Sequence, residues 1–171
     1  AFDYLKTHPS RSYTLAMLGA KFPQFLADTR PERTSSEPDW ADFLVDLATL
    51  ERIYSEVFDG PGVEGQPLLE PADLQAINPD AWPSVRLVPT VCLRLHSFSF
   101  PVHEFITAVR HGNDEATIPE LRPTFLAITR REFIVRRIPL TSDEFALLKL
   151  LVEQQGSVGQ AISTIAAETT I

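Results

Sequence analysis

Cys92 and His96 place a thiol four residues from an imidazole, the two groups a nucleophile and its base would need. On an extended strand that spacing separates their Cα atoms by roughly 13 Å, against the ~2.6 to 3.2 Å of a working hydrogen bond. Cys92 therefore reads as a small strand residue. His96, His103 and His111 could be imagined as metal ligands. His103 and His111 stand about two helical turns apart, or ~12 Å, beyond a shared first coordination shell, and neither HExxH nor CxxC accompanies them. These are surface or interface histidines. Gly60-Pro61-Gly62 follows no strand with the glycine spacing of a phosphate cradle and reads as a loop. No catalytic residue, metal ligand or cofactor site emerges.

Two other features carry chemistry. Arg130, Arg131, Arg136 and Arg137 gather four guanidinium groups around one hairpin in an otherwise acidic chain. Such a cluster can dock an acidic peptide, an acidic protein face or a nucleic-acid backbone, and it can equally be ordinary solvated hairpin charge. The second feature is the small sheet those arginines belong to. Three strands without closure leave edges, and an extended peptide can add a strand to an edge that nothing covers.

The elements that must position these groups change character along the chain. Residues 15–22 carry a helical stripe of Leu15, Leu18 and Phe22 with Thr14 as N-cap, and Pro23 restarts the chain as a second helix. Residues 29–38 combine charge, Ser/Thr and proline, the composition of a loop. Asp39 caps a long helix over 40–58, whose stripe is Phe43, Leu44, Leu47, Leu50, Tyr54, Val57 and Phe58, with Asp42, Asp46, Glu51 and Glu56 largely off it. Two short proline-opened turns of helix follow at 71–77 and 79–82.

Then strands begin. Val91, Leu93 and Leu95 alternate with polar neighbours and predict a strand with those residues buried, before a bulge or bend near Ser97. Residues 101–110 predict a helix, and residues 124–129 and 133–138 predict a hairpin connected by 129–132. Thr141 and Glu144 match a capping box that opens a helix ending at Gly156, and a last helix covers about 158–167. A hairpin followed by two helices is similar to a winged-helix module.

Composition bounds the partners. The hydrophobic fraction of 44% and charged fraction of 22% describe a globular chain, and its net charge of −8 opposes duplex-DNA binding except through a local basic patch. A single cysteine excludes an internal disulfide and fits a reducing cytoplasm. No apolar run approaches the ~18 residues of a membrane span. Residues 1–7 read as the tail of a helix, and the sequence stops just after another, so an incomplete protein is expected.

The segments THPSRSYTLAMLGAKFPQFLAD, DWADFLVDLATLERIYSEVFD, LLEPADLQAINPDAWPSVRLVPTVCLRLHSFSFPVHEF and IPLTSDEFALLKLLVEQQGSVGQAI, taken in order, resemble one bacterial family. It carries a DNA-binding label and includes the HvfC, BufC and methanobactin-type partner proteins of multinuclear non-haem iron oxidases. The similarity spans nearly the whole chain and is weakest in the last helix. Members usually have further N-terminal helices, which this sequence lacks. The resemblance implies a non-catalytic role in maturing ribosomally synthesised, modified peptides. The companion iron enzyme modifies precursor cysteines and holds the iron, while the partner protein docks on it and helps hold the leader peptide.

The fold expected is α+β, with a helical N-terminal domain over 1–82 and a winged-helix-like sheet-plus-helix domain over 83–171. The peptide- or partner-binding residues are expected on the hairpin, at Arg130, Arg131, Phe133, Val135, Arg136 and Arg137. A DNA-binding transcriptional regulator is the alternative, kept open by the arginine cluster.

Overall fold

The computed structural model describes residues 2–9, 15–32, 36–113, 116–154 and 156–169. Thr14, the expected cap of the second helix, lies outside them. The fold is α+β, with a three-stranded antiparallel sheet and helices at both ends of the chain. Two compact units interleave along the sequence: residues 1–59 with 97–124, and residues 60–96 with 125–171. The sequence division at residue 82 was linear, whereas the chain leaves the first unit after Asp59, returns to it at Ser97 and leaves again after Thr124.

In the first unit, α1 (Phe2–Thr7), α2 (Leu15–Leu18), α3 (Phe22–Thr29) and α4 (Trp40–Asp59) precede α6 (Val102–Arg110). Pro23 does not separate two helices. It sits in the first turn of α3, where its missing N–H costs nothing. Asp39 caps α4 by accepting from the N–H groups of Ala41 (2.8 Å) and Asp42 (3.3 Å), and Asp42 accepts in return from the N–H of Asp39 at 2.9 Å. The buried face of α4 is Ala41, Phe43, Ala48, Leu50, Ile53 and Val57. Leu44 and Phe58, expected on that stripe, are exposed, and Ala41, Ala48 and Ile53 are buried on it instead. Phe43 anchors the contact with α6, its ring edge-on to Phe100 at 5.8 Å and Phe105 at 5.0 Å. Asp46 is turned inward rather than toward water. Its carboxylate accepts from the N–H groups of Ser99 (2.7 Å) and Phe100 (3.1 Å), fixing the turn that leads into α6.

In the second unit, α5 (Pro71–Gln75) and a 3-10 turn (Pro79–Ser84) lead toward the sheet, and α7 (Ser142–Gln154) and α8 (Val158–Thr169) follow it. The capping box that opens α7 is present: the Thr141 N–H donates to Glu144 Oε2 at 2.7 Å, and the Glu144 N–H donates to Thr141 Oγ1 at 3.2 Å. A second box that the sequence reading missed opens α8, through Ser157 N–H to Gln160 Oε1 (2.9 Å) and Gln160 N–H to Ser157 Oγ (3.3 Å). Gly159 brings α8 against the 3-10 turn. A Cβ there would lie 2.8 Å from the Pro83 carbonyl oxygen and 2.9 Å from the Pro83 Cβ.

The sheet order is β1 (Arg94–Phe98), β2 (Thr124–Arg131), β3 (Ile134–Leu140). The first strand starts later than its sequence alternation suggested. Residues 91 and 92 form a turn closed by the Leu93 N–H to the Thr90 carbonyl at 3.0 Å, so Cys92 is buried and Val91 exposed, the reverse of the expected parity. The strand then passes straight through Ser97. The β2–β3 hairpin is also tighter than expected. Its pairing runs from Phe125↔Leu140 to Arg131↔Ile134, leaving only Glu132 and Phe133 in the turn. Both have positive φ, 53° and 60°. That is the type I′ geometry whose twist matches the flanking strands, formed without the Asn-Gly pair that usually supplies it.

Candidate functional site

The hairpin's two faces follow from its register. Leu126 and Ile128, both fully buried, point to one face with Arg130, and their β3 partners Pro139, Arg137 and Val135 share it. The opposite face pairs Phe125 with Leu140, Ala127 with Ile138, Thr129 with Arg136 and Arg131 with Ile134. At the base of that face α7 provides cover, with Phe145 lying 5.0 Å from Phe125. Toward the tip the cover ends: Ile138 is 49% exposed, Ile134 57% and Phe133 70%, and Arg136 also faces water.

The six expected residues therefore differ in their settings. Arg130 is 7% exposed, and its guanidinium grips the Glu64 carboxylate through Nε (2.9 Å) and Nη2 (3.0 Å). The same carboxylate accepts from the Phe133 N–H at 3.2 Å, so one acidic side chain ties the strained turn to Arg130. Arg130 also lies 5.9 Å from the centre of the Phe133 ring. Gly62 makes the arrangement possible, because a side chain there would collide with the Arg130 guanidinium and the Glu64 carboxylate. Arg130's hydrogen bonds are the main reason that the Glu64 carboxyl titrates at about 2 instead of 4.5, with the Glu64 and Phe133 backbone N–H groups adding to the effect. Arg130 is a structural cation.

Arg131 is exposed and shared between Glu70 at 3.4 Å and Glu132 at 3.9 Å. With Val63, Glu64, Leu68, Glu70 and Phe133 it lines an open recess of about 410 Å³ beside the turn. Arg136 and Arg137 lie on opposite faces of β3, Arg136 exposed and Arg137 half-buried. The hairpin thus separates the four guanidinium groups instead of massing them. Among the described residues no carboxylate pairs with Arg136.

Among the described residues β3 is an edge of the sheet, with β2 as its one neighbour in the strand order. In a two-residue hairpin the pair that flanks the turn exchanges both ladder hydrogen bonds, so Ile134, Arg136 and Ile138 direct their backbone groups toward β2. The backbone groups of Val135, Arg137 and Pro139 are directed outward. Proline, which has no N–H, stands where the ladder would not have used one. Sequence reasoning missed Glu64, Gly62, Ile134 and Ile138. For the isoleucines a signal existed, because Ile134, Arg136 and Ile138 recur at period two within a segment already read as strand.

The Cys92 sulfur is buried and lies 3.5 Å from both Thr129 Oγ1 and the Arg130 carbonyl oxygen. His96 is half-buried, which pushes its pKa below the ordinary histidine value. Among the described residues no three His, Cys, Asp or Glu side chains are placed to hold a metal ion, and no helix is long and apolar enough to cross a membrane. Comparison with known proteins adds no relative: no family model, no curated protein and no solved structure matches the chain.

Proposed function

We propose that the chain is a non-catalytic partner protein, working in the cytoplasm, that holds the leader segment of a precursor peptide and docks the multinuclear iron-dependent oxidase that modifies it. The resemblance of its segments, in order, to partner proteins of such oxidases motivates the reading. The observation that carries it is the edge strand β3, whose outward backbone groups can receive an extended peptide. The hairpin followed by α7 and α8 is the winged-helix-like part of the molecule, and the leader lies along its wing. DNA is the weaker partner. Two of the four hairpin arginines already face carboxylates, Arg130 at Glu64 and Arg131 at Glu70, within a chain of net charge −8.

Co-expression of chain, companion oxidase and precursor tests the role. Modified cysteines should appear in the precursor only when the chain is present. Equal modification in its absence would sink the proposal.

A further inference from the structure

We infer that β3 selects an extended peptide segment carrying an acidic residue between two apolar residues at alternate positions, read by Ile134, Arg136 and Ile138. The inference rests on the peptide-binding reading above and adds which peptide is bound.

Strand register sets the pattern. A strand added to the outer edge of β3 pairs through the backbone of Val135 and Arg137. Ile134, Arg136 and Ile138 then fall at positions without ladder bonds toward the newcomer, where antiparallel side chains come closest, with Cα atoms ~4.5 Å apart. Side chains of an added strand alternate faces, so its residues i, i+2 and i+4 lie beside these three. The exposed isoleucines ask for apolar neighbours and Arg136 asks for a carboxylate. The resulting pattern, apolar-x-acid-x-apolar, reads the same in both chain directions.

A second copy of the chain fits this edge poorly. Fully overlapped antiparallel self-pairing, centred on Arg136 or Arg137, sets a guanidinium directly against its own copy, and like charges in that position are destabilising. Pro139 ends the usable edge by withholding an N–H. The occupant is therefore a short acidic-apolar segment of another polypeptide.

The test uses the whole chain and end-blocked, dye-labelled peptides with a central Val-Thr-Glu-Thr-Val, their Glu-to-Gln and Glu-to-Lys counterparts, and anisotropy at low salt. The Glu peptide should bind about tenfold more tightly than the Lys peptide. Arg136→Glu should invert that order, with circular dichroism unchanged because Arg136 faces water. Amide exchange over residues 134–138 should slow on binding. Equal affinities, an order that Arg136→Glu leaves alone, or a dimer of the free chain that Arg136→Glu dissolves would overturn the inference. If the precursor is retained by the chain but these peptides show no charge preference, this inference alone falls. If neither precursor nor peptide binds, the peptide-partner reading falls with it.

Discussion

Glu64 is the residue on which the hairpin's tip depends. Its pKa is depressed from 4.5 to about 2, so the unfolded chain takes up that proton before the folded one does. The stabilisation is fully present above pH ~4.5 and is lost as pH falls through about 2. Between those limits wild type should lose melting temperature faster than Glu64→Gln, which carries no titrating group; parallel acid melting slopes would refute the role assigned to Glu64. The turn itself makes a second residue-scale prediction. Non-glycine residues at φ 53° and 60° store strain, of order 1 kcal/mol or more each. Replacing Glu132 by Asn together with Phe133 by Gly should therefore raise stability by about 1 kcal/mol in urea titration, despite the lost contact between Arg130 and the Phe133 ring. None of this was legible in the sequence, because Glu64 and Arg130 lie 66 residues apart and Glu132-Phe133 has no turn residue to announce it. The arginines were visible as charge, and only their partners divide structural from exposed ones.

At the scale of elements, local signals were readable and long-range ones were not. The Asp39 cap of α4 and the Thr141–Glu144 box of α7 stand within three residues of their partners, and both appear where the sequence put them. Asp46 has the same residue type as Asp39 and a different task, because its partners Ser99 and Phe100 are more than fifty residues away. Burial pushes its carboxyl pKa up, and the two N–H groups pull against that shift. Asp46→Ala would orphan both donors and should cost about 1 to 3 kcal/mol in denaturant unfolding. An unchanged midpoint would show that water replaces the carboxylate freely. Gly159 makes the corresponding prediction for α8. Gly159→Val drives a branched side chain into Pro83 and should destabilise by about 1 to 3 kcal/mol, whereas a glycine merely tolerated in a helix would gain stability on substitution. The late start of β1 has a similar lesson: alternation over 90–96 cannot distinguish a strand from a turn followed by a strand.

For the whole molecule, composition indicated a globular chain, the order of helical and strand patterns indicated α+β, and the ordered segments supplied a family resemblance, but none of these shows the interleaving of the two units. The proposed role is that the chain serves a peptide and an oxidase. The most direct measurement is retention by the immobilised chain of companion oxidase, precursor peptide and duplex DNA in parallel, each at two salt concentrations. Oxidase and precursor should be retained and DNA should not. Retention of DNA alone, weakening steeply with added salt, would contradict it and would make the chain a DNA-binding regulator.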